Sequence, residues 1–340
     1  MLNIKENISL KAFNTFGIDV KAKKYISLNK PEDVNDLLHS SILNSEEFLI
    51  IGEGSNLLFV KDYNGIIIHP KFKGINIHKK EDDFVFIEAY AGENWDTFVH
   101  YCTNNNYGGL ENLSLIPGTV GASAIQNIGA YGMEAKDKIW QVCGFDLIEK
   151  KHKTFSNKEC HFEYRNSIFK SEFKNRFIVT SVIYKLSTKN HNLNYHYGAL
   201  QSVLNDCAEI NIQNIRKAVI AIREQKLPDP EKLGNAGSFY KNPVVGQNIF
   251  KNIQAKYPNM PYYELADNMV KIPAAWLIDQ CGFKGYKKGN VGVHENQALV
   301  LVNYNNGTGK EIIELSTEIK ETVSEKFSIQ LEEEVIIVGK

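Results

Sequence analysis

Phe48-Leu49-Ile50-Ile51-Gly52-Glu53-Gly54-Ser55-Asn56-Leu57-Leu58-Phe59-Val60 sets two apolar runs around one glycine-rich turn. Each run has the length and apolarity of a buried strand, so the segment reads strand, loop, strand. That order excludes a Rossmann dinucleotide site. Leu57 stands where the third glycine would be, and a strand follows where a helix N-terminus would have to hold the pyrophosphate. The loop can still offer backbone N–H groups to a phosphate, because glycine admits positive φ and close approach.

Further along lies a second glycine-rich run, Ile116-Pro117-Gly118-Thr119-Val120-Gly121-Ala122-Ser123-Ala124-Ile125-Gln126-Asn127-Ile128-Gly129-Ala130-Tyr131-Gly132. Its spacing predicts a succession of small backbone turns that would suit a long, flat ligand carrying a pyrophosphate. Residue types alone allow two ordinary tight loops equally well. Gly307-Thr308-Gly309-Lys310 lacks the four-residue spacing of a P-loop and reads as a helix cap.

Around these loops the pattern alternates between short strands and a few helices. Pro31 followed by Val34, Leu37 and Leu38 predicts a helix, and Trp95, Phe98, Val99 and Cys102 mark one face of another from Glu93. Strands are expected at Ile66–Ile68, Phe84–Ala89, Gln141–Ile148 and Phe177–Leu186. Ile212, Ile215, Val219 and Ile222 mark a helix that ends at Leu227-Pro228-Asp229-Pro230, a rigid break. Beyond it, a helix over Ala274–Gln280, a strand over Gln297–Asn303, and a final strand Val335–Val338 are expected. Thr308 and Glu311 have capping-box spacing before a stripe of Ile312, Leu315, Ile319, Val323 and Phe327. The fold class is α+β, in three parts: lobes at 1–70 and 71–212, and a domain at 213–340.

A net charge of −1 and a 43% hydrophobic share describe an ordinary soluble chain with no electrostatic reason to bind nucleic acid or an anionic membrane. The N-terminus lacks the apolar run of a signal peptide, so a cytoplasmic protein is expected. The five cysteines are scattered, with no metal-ligand spacing, which predicts buried free thiols, a reducing compartment and no metal.

Three polar positions could serve a reaction: Arg165, flanked by aromatics; Ser238, in Asn235-Ala236-Gly237-Ser238-Phe239; and Glu334, just before the final strand. Each alone also reads as an unremarkable surface or turn residue. Nothing in their spacing brings them together.

At these same segments the chain resembles the UDP-N-acetylenolpyruvoylglucosamine reductase (UDP-N-acetylmuramate dehydrogenase) family. The resemblance runs through Asn14-Thr15-Phe16-Gly17, the Gly52–Asn56 loop, Gly109-Leu110-Glu111, Ile116-Pro117-Gly118 and Gln126–Gly132. It continues through Tyr164-Arg165-x-Ser167-Ile168-Phe169, Lys226-Leu227-Pro228-Asp229-Pro230, Asn235–Phe239, Trp276-Leu277-Ile278-Asp279-Gln280 and Glu332-x-Glu334-Val335.

The resemblance implies a two-lobed FAD-binding module of the vanillyl-alcohol-oxidase type, followed by a substrate-binding domain. It implies non-covalent FAD, held by Gly52, Glu53, Gly54, Ser55, Asn56, Pro117, Gly118, Gly121, Ala122, Ile125, Gly129, Ala130 and Tyr131. NADPH would be co-substrate, and the enolpyruvyl ether of a UDP-sugar would be reduced. Arg165 and Glu334 would stabilise the enolate, the glutamate as a protonated donor or through a bridging partner, and Ser238 would protonate the carbon. Lys241 and Asn242 could assist the serine. Tyr164, Lys226, Asn242, Lys284 and Gln297 would contact substrate. Tyr195-His196-Tyr197-Gly198 resembles the loop of one family subtype, with Tyr197 closing on substrate and Tyr195 its nearby competitor. A monomer with no nucleic-acid or membrane partner is expected. The competing readings are an FAD-dependent sugar or alcohol oxidase and a non-catalytic ligand-binding relative.

Overall fold

The computed structural model describes residues 2–44, 46–205, 207, 209–304 and 306–339. They form two compact units. The first comprises Met1–Ile8, Ala22–Glu53 and Asn64–Arg223, and the second Ser9–Lys21, Gly54–Tyr63 and Glu224–Lys340. The chain passes from one to the other inside the glycine-rich loop, between Glu53 and Gly54. It leaves the first unit for the last time between Arg223 and Glu224, inside the helix Ile212–Lys226, whereas the sequence pattern opens the final domain at residue 213.

The first unit holds two sheets. One runs in the order Asn3–Ser9, Lys21–Leu28, Tyr63–Pro70, Phe48–Ile50, with the last pair parallel. The other is antiparallel, in the order Lys151–Ser156, Ile139–Asp146, Phe177–Ser187, Phe84–Tyr90, Ile75–Lys80. Its central strand, Phe177–Ser187, is buried along most of its length and so reads as a continuous apolar run rather than an alternation. The helix Trp95–Asn104 buries Trp95, Phe98, Val99 and Cys102, the stripe expected from their spacing. The rings of Trp95 and Phe98 lie 5.9 and 5.0 Å from that of Tyr184 on the central strand, and the indole N–H donates to the Leu113 carbonyl at 2.7 Å. Burying each such aromatic stabilises by roughly 2–3 kcal/mol.

Several expectations change. Ile116–Gly132 is not turns throughout, since Val120–Gln126 is a helix capped by Thr119. Its small residues let it pack tightly: a Cβ on Gly121 would stand 2.8 Å from the Ala91 Cβ. The strand expected over Gln297–Asn303 begins only at Val300, because Gln297 folds into a local turn with Leu299 and Val300. Of the cysteines, all unpaired, Cys102 and Cys160 are buried, Cys143 and Cys281 half-buried, and Cys207 exposed.

The second unit contains a four-stranded sheet, Gly234–Ser238, Val300–Asn303, Val291–Val293, Lys287–Lys288, and a parallel pair joining Leu57–Phe59 to Ile336–Val338. The helix Gly309–Phe327 starts in the expected capping box of Thr308 and Glu311 and buries all five stripe residues. Asn14-Thr15-Phe16-Gly17 is a structural corner of this unit. The Asn14 amide donates to the carbonyls of Leu10 and Ile18, and the Phe16 carbonyl accepts from Asn303 at 2.9 Å. Among the described residues no helix is long and apolar enough to cross a membrane.

Candidate active site

In the first unit the two glycine-rich segments meet. A Cβ on Gly52 would lie 2.9 Å from the Thr119 hydroxyl and 3.8 Å from the Ala122 Cβ, so only glycine lets the loop close on the start of the helix Val120–Gln126. Glu53 completes the join: its carboxylate accepts from the Asn94 amide at 3.3 and 3.4 Å and from the Gly118 N–H. Loss of hydration where it packs here raises the Glu53 pKa, against the lowering effect of those bonds and of Lys73. Gly52, Ala122, Ile125, Gly129, Ala130 and Tyr131 stay half-exposed, and Pro117 is exposed. Small residues with approachable backbone, joined across two loops, suit a dinucleotide such as FAD.

Gly54 opens the part of the loop that belongs to the second unit. Its φ is +69°, and a Cβ there would fall 2.0 Å from the Phe13 carbonyl oxygen. Asn56 points its amide to the Glu334 carbonyl at 3.1 Å.

Arg165 sits at the far end of the second segment. Its guanidinium donates to the carbonyls of Gly129 at 2.6 Å and Asn127 at 3.4 Å, and stacks over the exposed Tyr164 ring at 5.1 Å. Arg165 itself holds a left-handed φ of +54°, a conformation that costs about 1 kcal/mol or more in a residue with a Cβ. Ser167, donating to the Ile125 carbonyl, and Asn127, donating to the Glu163 carbonyl, bracket that turn. The guanidinium is thereby held against the second glycine-rich segment.

Ser238 is presented by a bulge. Asn235 donates to the carbonyls of Pro228 and Leu233, while its oxygen accepts from the Gly237 N–H. Gly237 takes φ +68°, and the pairing with Val300–Asn303 slips between Asn235 and Ser238. One residue on, the Phe239 carbonyl accepts from the Glu334 N–H at 2.8 Å, and Tyr240 bridges to Glu333. Ser238 and Glu334, 96 positions apart, are thus brought near each other by backbone bonds between the residues that follow Ser238 and the run ending at Glu334.

Other expected site residues are placed more plainly. Lys241 pairs its ammonium with Glu332, so its charge is shared with that carboxylate. Asn242 accepts from the Ala274 N–H at the start of the helix Ala274–Gln280. Lys226 and Lys284 are exposed, and the Gln297 side chain accepts from the Leu299 N–H. Tyr197 is 42% exposed and meets Tyr131 edge-on at 6.4 Å. Tyr195 stacks on His196.

The structure adds a group of residues that spacing did not single out. Leu115, just before Ile116-Pro117-Gly118, has φ +57°. Asp96 accepts from its N–H, and Arg223 donates to its carbonyl at 3.2 Å. Arg216 clamps Asp96 with two bonds of 2.7 and 2.8 Å. Burial would raise the Asp96 pKa, but the Arg216 fork and the Leu115 N–H outweigh it and the net shift is downward. Burial pulls the Arg223 guanidinium below its ordinary value. The available signal was two arginines seven residues apart beside the apolar stripe of Ile212–Lys226, a spacing that returns both to the buried face.

Two family profiles match the chain. One is described as the C-terminal domain of UDP-N-acetylenolpyruvoylglucosamine reductase, over residues 229–338; the other is an FAD binding domain, over residues 22–151. The UDP-N-acetylenolpyruvoylglucosamine reductase of Flavobacterium johnsoniae is 49% identical over 99% of this chain and 100% of its own. That of Bacteroides fragilis is 44% identical over 98% and 99%. The crystal structure of the Thermus caldophilus enzyme of that name covers 99% of both chains at a TM-score of 0.68 and 21% identity, which shows a shared fold.

Proposed function

The chain belongs to the UDP-N-acetylenolpyruvoylglucosamine reductase family, and from that premise we propose that it reduces the enolpyruvyl ether of UDP-N-acetylglucosamine enolpyruvate to UDP-N-acetylmuramate. This is an early step of peptidoglycan precursor synthesis, with NADPH as reductant. The observation that carries the reading is the 49% identity extending over 99% of the chain, both FAD-binding and C-terminal portions included. The protein is an FAD-dependent oxidoreductase with the two-lobed module of the vanillyl-alcohol-oxidase type and a separate C-terminal domain.

Bound FAD, non-covalently held, supplies a two-electron carrier between NADPH and the enol ether. The residues that would hold it are Gly52–Asn56, Pro117–Ala122, Ile125 and Gly129–Tyr131. Addition at the substrate's methylene carbon leaves an electron pair on the neighbouring carbon, delocalised into the carboxylate. That charge needs preorganised donors. Arg165 is suited to it, since its planar fork of donors is already braced on the Gly129 and Asn127 carbonyls. Glu334 is the second group assigned to that charge. The Ser238 Oγ–H then protonates the carbon; a hydroxyl can do so only because the carbanion is strongly basic. Lys226, Lys284, Asn242, Gln297, Tyr164 and Tyr197 contact the UDP-sugar, the lysines as point charges for the diphosphate.

The partners are thus small molecules. A net charge of −1 supports the absence of a nucleic-acid partner, and the reading is of a cytoplasmic monomer. Anaerobic visible spectra test the function: NADPH should bleach bound flavin, and the UDP-linked enol ether should restore the oxidised spectrum. Flavin bleached by a sugar or alcohol and restored by oxygen alone would identify an oxidase; a colourless protein unable to take up FAD would mean a non-catalytic relative.

A further inference from the structure

Asn112, buried, uses both hydrogens of its side-chain amide: Nδ2 donates to the Asn194 carbonyl at 2.7 Å and the Tyr131 carbonyl at 3.0 Å. Asn194 ties back in the other direction, its amide donating to the Gly132 carbonyl at 3.1 Å. Gly132 lies under the segment, for a Cβ there would stand 3.1 Å from the Asn194 amide nitrogen and 3.4 Å from the Tyr197 ring. Tyr197 leans on Tyr131, and Gly198 ends the segment at φ 50°, ψ −129°, a region open essentially to glycine alone. Residues 194–198 are thus pinned at one root, propped at Tyr197 and turned at Gly198.

We propose that Asn112 and Asn194 are positioning residues for Tyr197, tying the tyrosine segment to the Tyr131-Gly132 turn so that substrate meets an ordered tyrosine. The inference rests on the reading of Tyr197 as a substrate contact. Tyr131 closes the segment assigned above to FAD, so the pair of asparagines also ties the substrate-facing ring to the cofactor's own segment. Losing either bond frees the root, and the UDP-sugar must then order the segment itself as it binds. The cost appears in substrate affinity rather than in chemistry.

Asn112→Asp keeps the shape of the side chain but replaces two donors with oxygens facing two carbonyls. Asn194→Ala, at a half-exposed position, provides a second variant that does not disturb the core. Both are loaded with FAD, and the two half-reactions are followed by anaerobic stopped flow. The half-saturating UDP-sugar concentration should rise roughly tenfold, as for the loss of one hydrogen bond. FAD affinity and the limiting rates of both half-reactions should stay within about twofold, a split that a merely structural role would not give. Tyr197→Ala should raise the same half-saturating concentration, and Asn194→Ala added to it should raise it no further. Additive effects of Asn194→Ala and Tyr197→Ala would overturn the positioning role, as would equal losses in FAD affinity. A Tyr197→Ala variant with unchanged substrate affinity would instead overturn the reading of Tyr197 on which the proposal rests.

Discussion

Asn56 donates its side-chain amide to the backbone carbonyl of Glu334 at 3.1 Å, while its own carbonyl accepts from the Ile336 N–H at 3.0 Å. The last residue of the glycine-rich loop thereby brackets Val335, directly after Glu334, and sets where the chain leaves that glutamate for the final parallel strand pair.

Asn56→Asp removes the donor and leaves an acceptor facing a carbonyl. It should slow the reaction with the UDP-linked enol ether roughly tenfold, the scale of one lost hydrogen bond, and leave the limiting rate of flavin reduction unchanged. Single-turnover rates of the two half-reactions check this. Equal slowing of both would assign Asn56 to the cofactor alone.

Arg165→Lys keeps the charge and loses the fork. One ammonium cannot reproduce the braced, planar set of donors now resting on the Gly129 and Asn127 carbonyls. The oxidative half-reaction should fall by roughly 100-fold, as when one preorganised donor is removed from a site of developing charge. Flavin reduction should change far less. Comparable losses in both would contradict a role at the enolate.

Asp96 and Arg216 hold the left-handed Leu115 peptide at the entrance to Pro117-Gly118. Asp96→Asn leaves the buried Arg216 without its charged partner and should destabilise the first unit by about 3 kcal/mol. FAD affinity should fall with it, measured by the recovery of flavin fluorescence on dilution. Stability lost with FAD affinity intact would mean that the clamp does not shape the cofactor segment.

His69 carries the pH prediction. Burial, then the charges of Lys71 and Lys73, lower its pKa to about 4, and its ring nitrogen lies 2.9 Å from the Tyr25 hydroxyl. The unfolded chain takes up this proton near 6.5 and the folded one only near 4, so stability should fall as pH drops from about 6.5 to 4, by up to about 3 kcal/mol. Urea unfolding midpoints at pH 7 and pH 5 should show the fall, and His69→Gln should shrink it. A wild-type midpoint that does not move would remove His69 from the account.

Much of the fold could be read from side-chain period alone, where one face of an element carries the burial. Trp95, Phe98, Val99 and Cys102, or Thr308 through Phe327, report on their own helices because capping and amphipathicity are local. The polar strands Asn3–Ser9 and Ile75–Lys80 did not stand out, since both lie at sheet edges with most side chains exposed. The helix Val120–Gln126 was hidden by its glycine and alanines, which look like loop residues until Ala91 is seen packed against Gly121. The roles proposed for Arg165, Ser238 and Glu334 rest on the family resemblance, since residue types alone left each of them an unremarkable surface or turn position. Asn235 shapes the bulge before Ser238 locally, but what orients the other two is non-local: Asn127 and Gly129 bracing Arg165, and Asn56 gripping Glu334. Hydrogen-bond partners far apart in sequence leave no periodic trace.

The serine proton is the claim on which the rest of the chemistry turns. Ser238→Ala deletes one hydroxyl from a bulge whose geometry is set by Asn235 and Gly237, so the fold should be preserved. The most direct measurement follows the flavin absorbance of this variant through anaerobic single turnovers, first with NADPH and then with the UDP-linked enol ether. Bleaching by NADPH at the wild-type rate, with no return of colour on adding the enol ether, is the expected result. Return of colour at the wild-type rate would contradict Ser238 as the proton donor.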